Sequence, residues 1–193
     1  TTWLSEVINH NNAYRYIFEP FNPDEVSQNK RIVNEKYISE ATINPDFYSL
    51  IKRTLSGQVR SFWSDRFNDR RFSHKRFIKS IRANLFLKWL HLNFPQLPIV
   101  FMIRHPPAVT VSRMKCRYWT KESLEKYFEQ DELLEDFLLP FICEMKRSEE
   151  RFQNTGDGFE NYLFSWCIQF YLPLQQFQEM ELHIVFYENC LQS

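Results

Sequence analysis

The chain has 193 residues, 44% hydrophobic and 25% charged, which suits one ordinary globular domain and excludes a disordered or fibrous chain. Its 24 Lys and Arg balance 24 Asp and Glu, so no overall basic field draws in nucleic acid and any anion site has to be local. No apolar run approaches the roughly 18 residues of a membrane helix, no signal peptide is visible, and the 4 cysteines form no C-x-x-C pair, which predicts free, mostly buried thiols in a reducing, cytoplasmic setting without a metal site.

Trp3, Leu4, Val7 and Ile8 recur at the spacing of one helix face, with Thr1 and Thr2 at the start of that helix. The two hydroxyls read either as ordinary caps or as the beginning of an anion site. Residues 14–18 alternate in strand fashion and stop at Glu19-Pro20, which leaves the Glu19 carboxylate at a strand's carboxyl end. There it is a solvated loop residue or a general base aimed into a crevice. Residues 22–45, rich in Asn, Pro, Asp and Ser, predict a loop or lid. Asp46 is a candidate cap for a helix carrying Phe47, Leu50, Ile51, Leu55, Val59, Phe62 and Trp63. The following stretch holds Arg60, Arg66, Arg70, Arg71, Lys75 and Arg76 and would suit an anionic acceptor or RNA. Asp65 and Asp69 interrupt it, and a solvated face is the commoner explanation.

Phe77-Ile78 form the centre of another strand, ended by Lys79, and a helix over 82–94 gathers Leu85, Phe86, Trp89, Leu90 and Phe94 on one side before Pro95. Residues 99–103 are apolar without a break, the mark of a strand buried on both faces. Pro106 and Pro107 end that strand and preset φ for a helix, so Arg104 stands at the strand end and Ser112 about a turn and a half into the helix. The two read equally as a surface arginine with a back-bonded serine, or as a pair meeting one anion. Arg113, Lys115 and Arg117 read as helpers in holding a phosphate or, more commonly for alternating cations on a helix, as solvated side chains.

Trp119-Thr120 are candidate caps for a segment over 121–130, and 131–152 reads as one or two helices broken near Pro140. The acidic residues from Glu122 to Asp136 read as an outward face, because no glycine-centred loop accompanies them. Gly156 and Gly158 mark a turn, and a helix over 159–177 buries a stripe of Phe159, Tyr162, Leu163, Trp166, Phe170 and Leu174. A last strand covers 182–187. Strands near 14–18, 76–79, 99–103 and 182–187, separated by helices, predict an α/β chain with a parallel sheet flanked by helices. Glu19, Lys79 and Arg104 then share the rim at which such sheets bind ligands.

Several of these segments resemble, in order, those of the sulfotransferases that use 3′-phosphoadenosine 5′-phosphosulfate (PAPS). Arg104-x-Pro106 followed by Ser112 is similar to the segment that holds the 3′-phosphate, and Thr1-Thr2-Trp3-Leu4 to the end of the Ser-Gly-Thr-Thr-Trp-Leu loop around the 5′-phosphosulfate. Ile17-Phe18-Glu19-Pro20 resembles a segment of bacterial and carbohydrate enzymes whose glutamate takes the acceptor's proton. Lys79 matches the lysine of a Lys-Thr-His segment, and Phe186-Tyr187-Glu188-Asn189 resembles Phe-Tyr-Glu-Asp, whose tyrosine touches the adenine side.

The resemblance implies a P-loop nucleotide-hydrolase-like sulfotransferase fold in a single domain over 1–193, with the start of the phosphate loop expected before Thr1 and a further part after Ser193. It implies sulfuryl transfer from PAPS to a hydroxyl or amine of a small-molecule, lipid or carbohydrate acceptor. Glu19 and Lys79 would be catalytic, Thr1, Thr2, Trp3, Arg104, Ser112 and Tyr187 would bind PAPS, and no metal is required. Ile81 stands where the cytosolic small-molecule enzymes carry a catalytic histidine, which puts more weight on Glu19. A non-catalytic nucleotide-binding relative, which Ile81 favours, and a P-loop kinase share the architecture. The kinase needs a Gly-Lys-Ser/Thr loop and an aspartate for Mg²⁺, whereas these strand ends offer Glu, Lys and Arg and the chain has only 3 glycines.

Overall fold

Among the described residues four short strands form where the apolar patterns predict them: β1 (Arg15–Phe18), β2 (Arg76–Lys79), β3 (Val100–Ile103) and β4 (His183–Phe186). The computed structural model describes residues 2–29, 35–68, 73–116 and 122–191, so the expectations on Thr1, Arg70, Arg71, Arg117, Trp119 and Thr120 lie outside the described residues. The molecule is a mixed α/β protein in which both pairings are parallel. The strands make two 2-stranded sheets, β1 with β2 and β3 with β4, rather than one continuous sheet. Apolar pattern and crossover length set where strands form and that partners run parallel. Which edges meet is decided by tertiary contacts that no local pattern carries. The chain divides into two compact units, 1–89 and 90–193.

In the first unit, β1 is buried along its whole length, Arg15 included, and Ile17, Phe21, Ile51, Leu85, Phe86 and Trp89 form the core. The Phe47 ring packs 4.8 Å from Trp89 and 5.5 Å from Phe86. Helix α1 (Thr2–Ile8) buries Ser5 and leaves Trp3 44% and Val7 48% exposed, so its apolar stripe does not face a core. Helix α2 (Pro45–Leu55) is capped by Asn44, whose side chain accepts from Phe47 N at 2.9 Å, and not by Asp46. Pro45 at its first position explains the choice, because it presets the helical φ directly after the cap. The helix stops short of Trp63 because Gly57 takes φ +74°. A separate turn, α3 (Phe62–Asp65), starts on a new cap at Ser61 and leaves Phe62 94% exposed. Beyond β2, a 3-10 turn over Asn84–Phe86 leads into α4 (Leu87–Asn93).

In the second unit, β3 leads into α5 (Pro106–Lys115), and α6 (Glu125–Phe128) precedes α7 (Asp131–Leu133). A π turn to Leu138 and a 3-10 turn around Pro140 then lead into α8 (Ile142–Thr155). Gly156 in the left-handed region ends α8, its N–H donating to Phe152 O at 2.8 Å, and α9 (Phe159–Gln176) follows.

The buried face of α9 is not the expected aromatic stripe but Asn161, Ser165 and Gln169, flanked by Tyr162, Ile168 and Leu172, while Leu174 is exposed. That polar face meets two buried carboxylates. Asn161 Nδ2 donates to Glu149 at 2.8 Å and Ser165 Oγ to Glu122 at 2.6 Å. Glu122 is therefore an interior group and not part of the outward acidic face, whose other members are exposed. The sheet is more open than its apolar run predicts, with Val100, Ile184 and Phe186 at 45%, 42% and 50% exposure. None of the cysteines is in the core: Cys143 and Cys167 are exposed, Cys116 and Cys190 half-buried. Among the described residues no helix is long and apolar enough to cross a membrane.

Candidate functional site

In the first unit, the β1/β2 register pairs Phe18 with Lys79, and Glu19 N donates to Lys79 O at 2.8 Å, so the ladder runs one residue past β1. Glu19 then takes φ +43°, a left-handed conformation uncommon outside glycine. Its carboxylate is buried, and its donors come from the last residue of β2 and the turn that follows. Lys79 Nζ donates to Oε1 at 2.5 Å, Arg82 Nη1 to Oε2 at 3.1 Å, and the Ile81 N–H bridges both oxygens at 3.2 Å. Two cations thus face one carboxylate, and the cluster keeps a net positive charge. Lys79 Nζ also lies 4.8 Å from the Phe18 ring centre. On the same aromatic group the Arg66 guanidinium stands 3.8 Å from Trp63 and 4.3 Å from Phe18.

Sequence reasoning singled out Glu19 and Lys79 but not Arg82, nor the part played by Ile81. Ile81 contributes its backbone N–H, which no reading of side chains detects. Arg82 left a signal, a second cation just past the end of a strand already ended by lysine. Thr2 and Trp3, both exposed on α1, make no hydrogen bond to Glu19 or Lys79.

In the second unit, the β3/β4 register pairs Ile103 with Phe186 and so sets Arg104 beside Tyr187. The Arg104 guanidinium lies 4.7 Å from the Tyr187 ring centre, a cation–π contact. One residue on, Glu188 Oε1 accepts from His105 N at 2.9 Å. That backbone hydrogen bond, with the nearby His105 and Arg104, holds the Glu188 carboxyl below its ordinary value. Glu188 therefore ties the two strand ends together.

The start of α5 offers an anion little from its backbone. Pro106 and Pro107 have no N–H, and the N–H groups of Ala108 and Val109 donate to His105 O at 3.1 and 3.2 Å. Anion binding at this strand end falls to side chains, of which Arg104 and Ser112 are both exposed. Arg113 is turned elsewhere, donating to Gln169 at 3.4 Å. The structure thus joins Glu19 with Lys79 in the first unit and Arg104 with Tyr187 in the second, with Ser112 further along α5.

Among the described residues no His, Cys, Asp and Glu side chains group as a metal site. Compared with known proteins, the chain matches no family model, no curated protein and no solved structure.

Proposed function

We propose that the protein is a sulfotransferase that moves a sulfuryl group from PAPS to an acceptor hydroxyl or amine, on a P-loop nucleotide-hydrolase-like fold. The observation that carries this reading is the contact between Arg104 and Tyr187. Those two residues are the ones the resemblance assigns to the 3′-phosphate and the adenine side, and they stand 83 positions apart in the sequence. An arginine laid on an aromatic ring at a parallel strand end offers a charged fork and a stacking face, a fit for a phosphorylated purine nucleoside.

PAPS supplies the activated sulfuryl group and departs as 3′-phosphoadenosine 5′-phosphate. In this reading Lys79, supported by Arg82, meets the negative charge that grows on the departing phosphate oxygen. Glu19 takes the acceptor's proton once an acceptor displaces one of its present donors. A second reading has its own support: both oxygens of the buried Glu19 are already engaged, which suits a structural clamp in a nucleotide-binding relative without transferase activity.

The full-length protein separates these readings. A rise in melting temperature with 3′-phosphoadenosine 5′-phosphate, absent with ATP and Mg²⁺ and weakened at least tenfold by Arg104→Gln, is expected for either. Transfer of labelled sulfate from PAPS, lost in Lys79→Ala and Glu19→Gln, is expected for the transferase alone. No shift with the 3′-phosphorylated nucleotide sinks both, and a shift with ATP and Mg²⁺ alone points to the kinase.

A further inference from the structure

We propose that the first unit carries a second anion site, at the amino ends of β1 and β2, which takes a sulfate or phosphate monoester on a sugar-sized molecule. A cleft of about 320 Å³ opens there, lined among others by Arg15, Ser56, Gly57, Arg60, His74 and Arg76 and, among the described residues, by no carboxylate. Its size is at the lower end of the roughly 300–1,000 Å³ of ligand clefts, which fits a monosaccharide ester better than a stretch of polymer. Arg15 and Arg76 open the strands that Phe18 and Lys79 close, so the cleft lies about 10 Å from the Glu19 cluster at a strand rise of about 3.3 Å per residue.

Two of the cations of this cleft meet across the parallel strand pair. Arg15 and Arg76 are direct cross-strand partners, and like charges in that position repel. Arg15 is compensated: its guanidinium is 3% exposed, bonds Asp65 through Nε at 3.1 Å and Nη2 at 2.8 Å, and donates from Nη1 to Gly57 O at 2.6 Å. Among the described residues Arg76 has no carboxylate partner. Its Nε donates to Leu55 O at 3.0 Å, which fixes the group against the end of α2, and its two terminal nitrogens have no partner among the described residues.

Gly57 makes this crowding possible. At its φ of +74° a Cβ would stand 2.8 Å from Arg15 Nη1 and 2.9 Å from Arg76 Cδ, so both arginines rest on bare backbone. The hydroxyls have other duties. Ser73 Oγ donates to Ala13 O and accepts from Lys75 N, which sets the turn before β2, and Ser56 Oγ donates to Arg53 O. Recognition therefore falls to the terminal nitrogens of Arg76, which have no partner among the described residues, with the exposed His74 ring at the rim. A planar fork whose two terminal nitrogens meet no described partner is the group that suits a tetrahedral oxyanion.

The inference does not rest on the proposed transferase reading, and calorimetric titration tests it separately. The probes are glucose 6-sulfate, glucose 6-phosphate and, as the uncharged control, glucose. At least one ester is expected to bind while glucose does not, and the tighter ester identifies the group preferred. Arg76→Gln should weaken binding at least tenfold and His74→Gln about threefold, while Arg104→Gln, in the second unit, leaves it within twofold. Should Arg76→Gln fold poorly, Arg76→Lys keeps the charge without the fork and is expected to lose most of the affinity. No binding by either ester, equal binding of glucose, indifference to both Arg76 and His74, or loss in Arg104→Gln would overturn the proposal.

Discussion

Glu19 combines a left-handed φ of +43°, near-complete burial and two cationic partners, and each of these makes it sensitive to substitution. Glu19→Gln keeps the shape, removes the charge and strands Lys79, whose side chain is 10% exposed, without a counter-ion. Breaking one side of a buried pair costs about 3 kcal/mol or more, because the surviving charge stays desolvated. Lys79→Met is expected to cost less, since Arg82 and the Ile81 N–H still serve the carboxylate. Urea unfolding of the two variants checks the order. Equal losses would mean that Arg82 holds little of the carboxylate's charge. The half of this cluster that the sequence revealed, Glu19 and Lys79, was legible because each follows an apolar strand. The other half depends on a turn geometry that only the folded chain specifies.

At the level of elements, the strands are the best-read part of the molecule, each within a residue or so of its expected span, because short apolar runs bounded by charge and proline leave little choice. Helix faces were read less well, since periodicity marks apolar residues and passes over a polar face that finds partners elsewhere. On α9 the spacing of Asn161, Ser165 and Gln169, one turn apart in a helix apolar over most of its middle, is the available signal. Its partners Glu122 and Glu149 arrive from distant segments.

Helix ends give a sharper test. Gly57 and Gly156 share a φ of +74°, but a Cβ on Gly156 meets nothing within 4 Å. Gly156→Ala should cost about 1 kcal/mol, the left-handed penalty alone, and Gly57→Ala at least about 2 kcal/mol, because it also pushes on Arg15. Similar melting temperatures for the two variants would contradict the packing described. At the β3 and β4 ends, the depressed Glu188 carboxyl makes a separate prediction. The His105 amide resonance should titrate with a midpoint below the ordinary glutamate value of 4.5, and that titration should vanish in Glu188→Gln. Because the charged carboxylate is the form that bonds His105, the link between the strands is present above that range and lost as pH falls through it.

For the molecule as a whole, each unit contains a buried tyrosine that resists ionisation, Tyr16 in the first and Tyr162 in the second. Burial pushes both phenols above 10.0, and a nearby carboxylate adds to the effect, Glu19 at Tyr16 and Glu122 at Tyr162. The folded chain therefore keeps protons that the unfolded chain gives up above pH 10. Their contribution to stability is complete below the unfolded value and is lost as pH rises through the folded values. Between pH 9 and 11 the free energy of unfolding should fall with a slope of at most one proton per tyrosine. Because the two groups belong to different units, Tyr16→Phe should remove that dependence from the first unit and leave it in the second, with Tyr162→Phe doing the reverse. Hydrogen exchange read unit by unit across this pH range measures both at once. A single variant that lowered the alkaline slope in both units alike, leaving the other tyrosine's share in each, would show that the two share one unfolding transition.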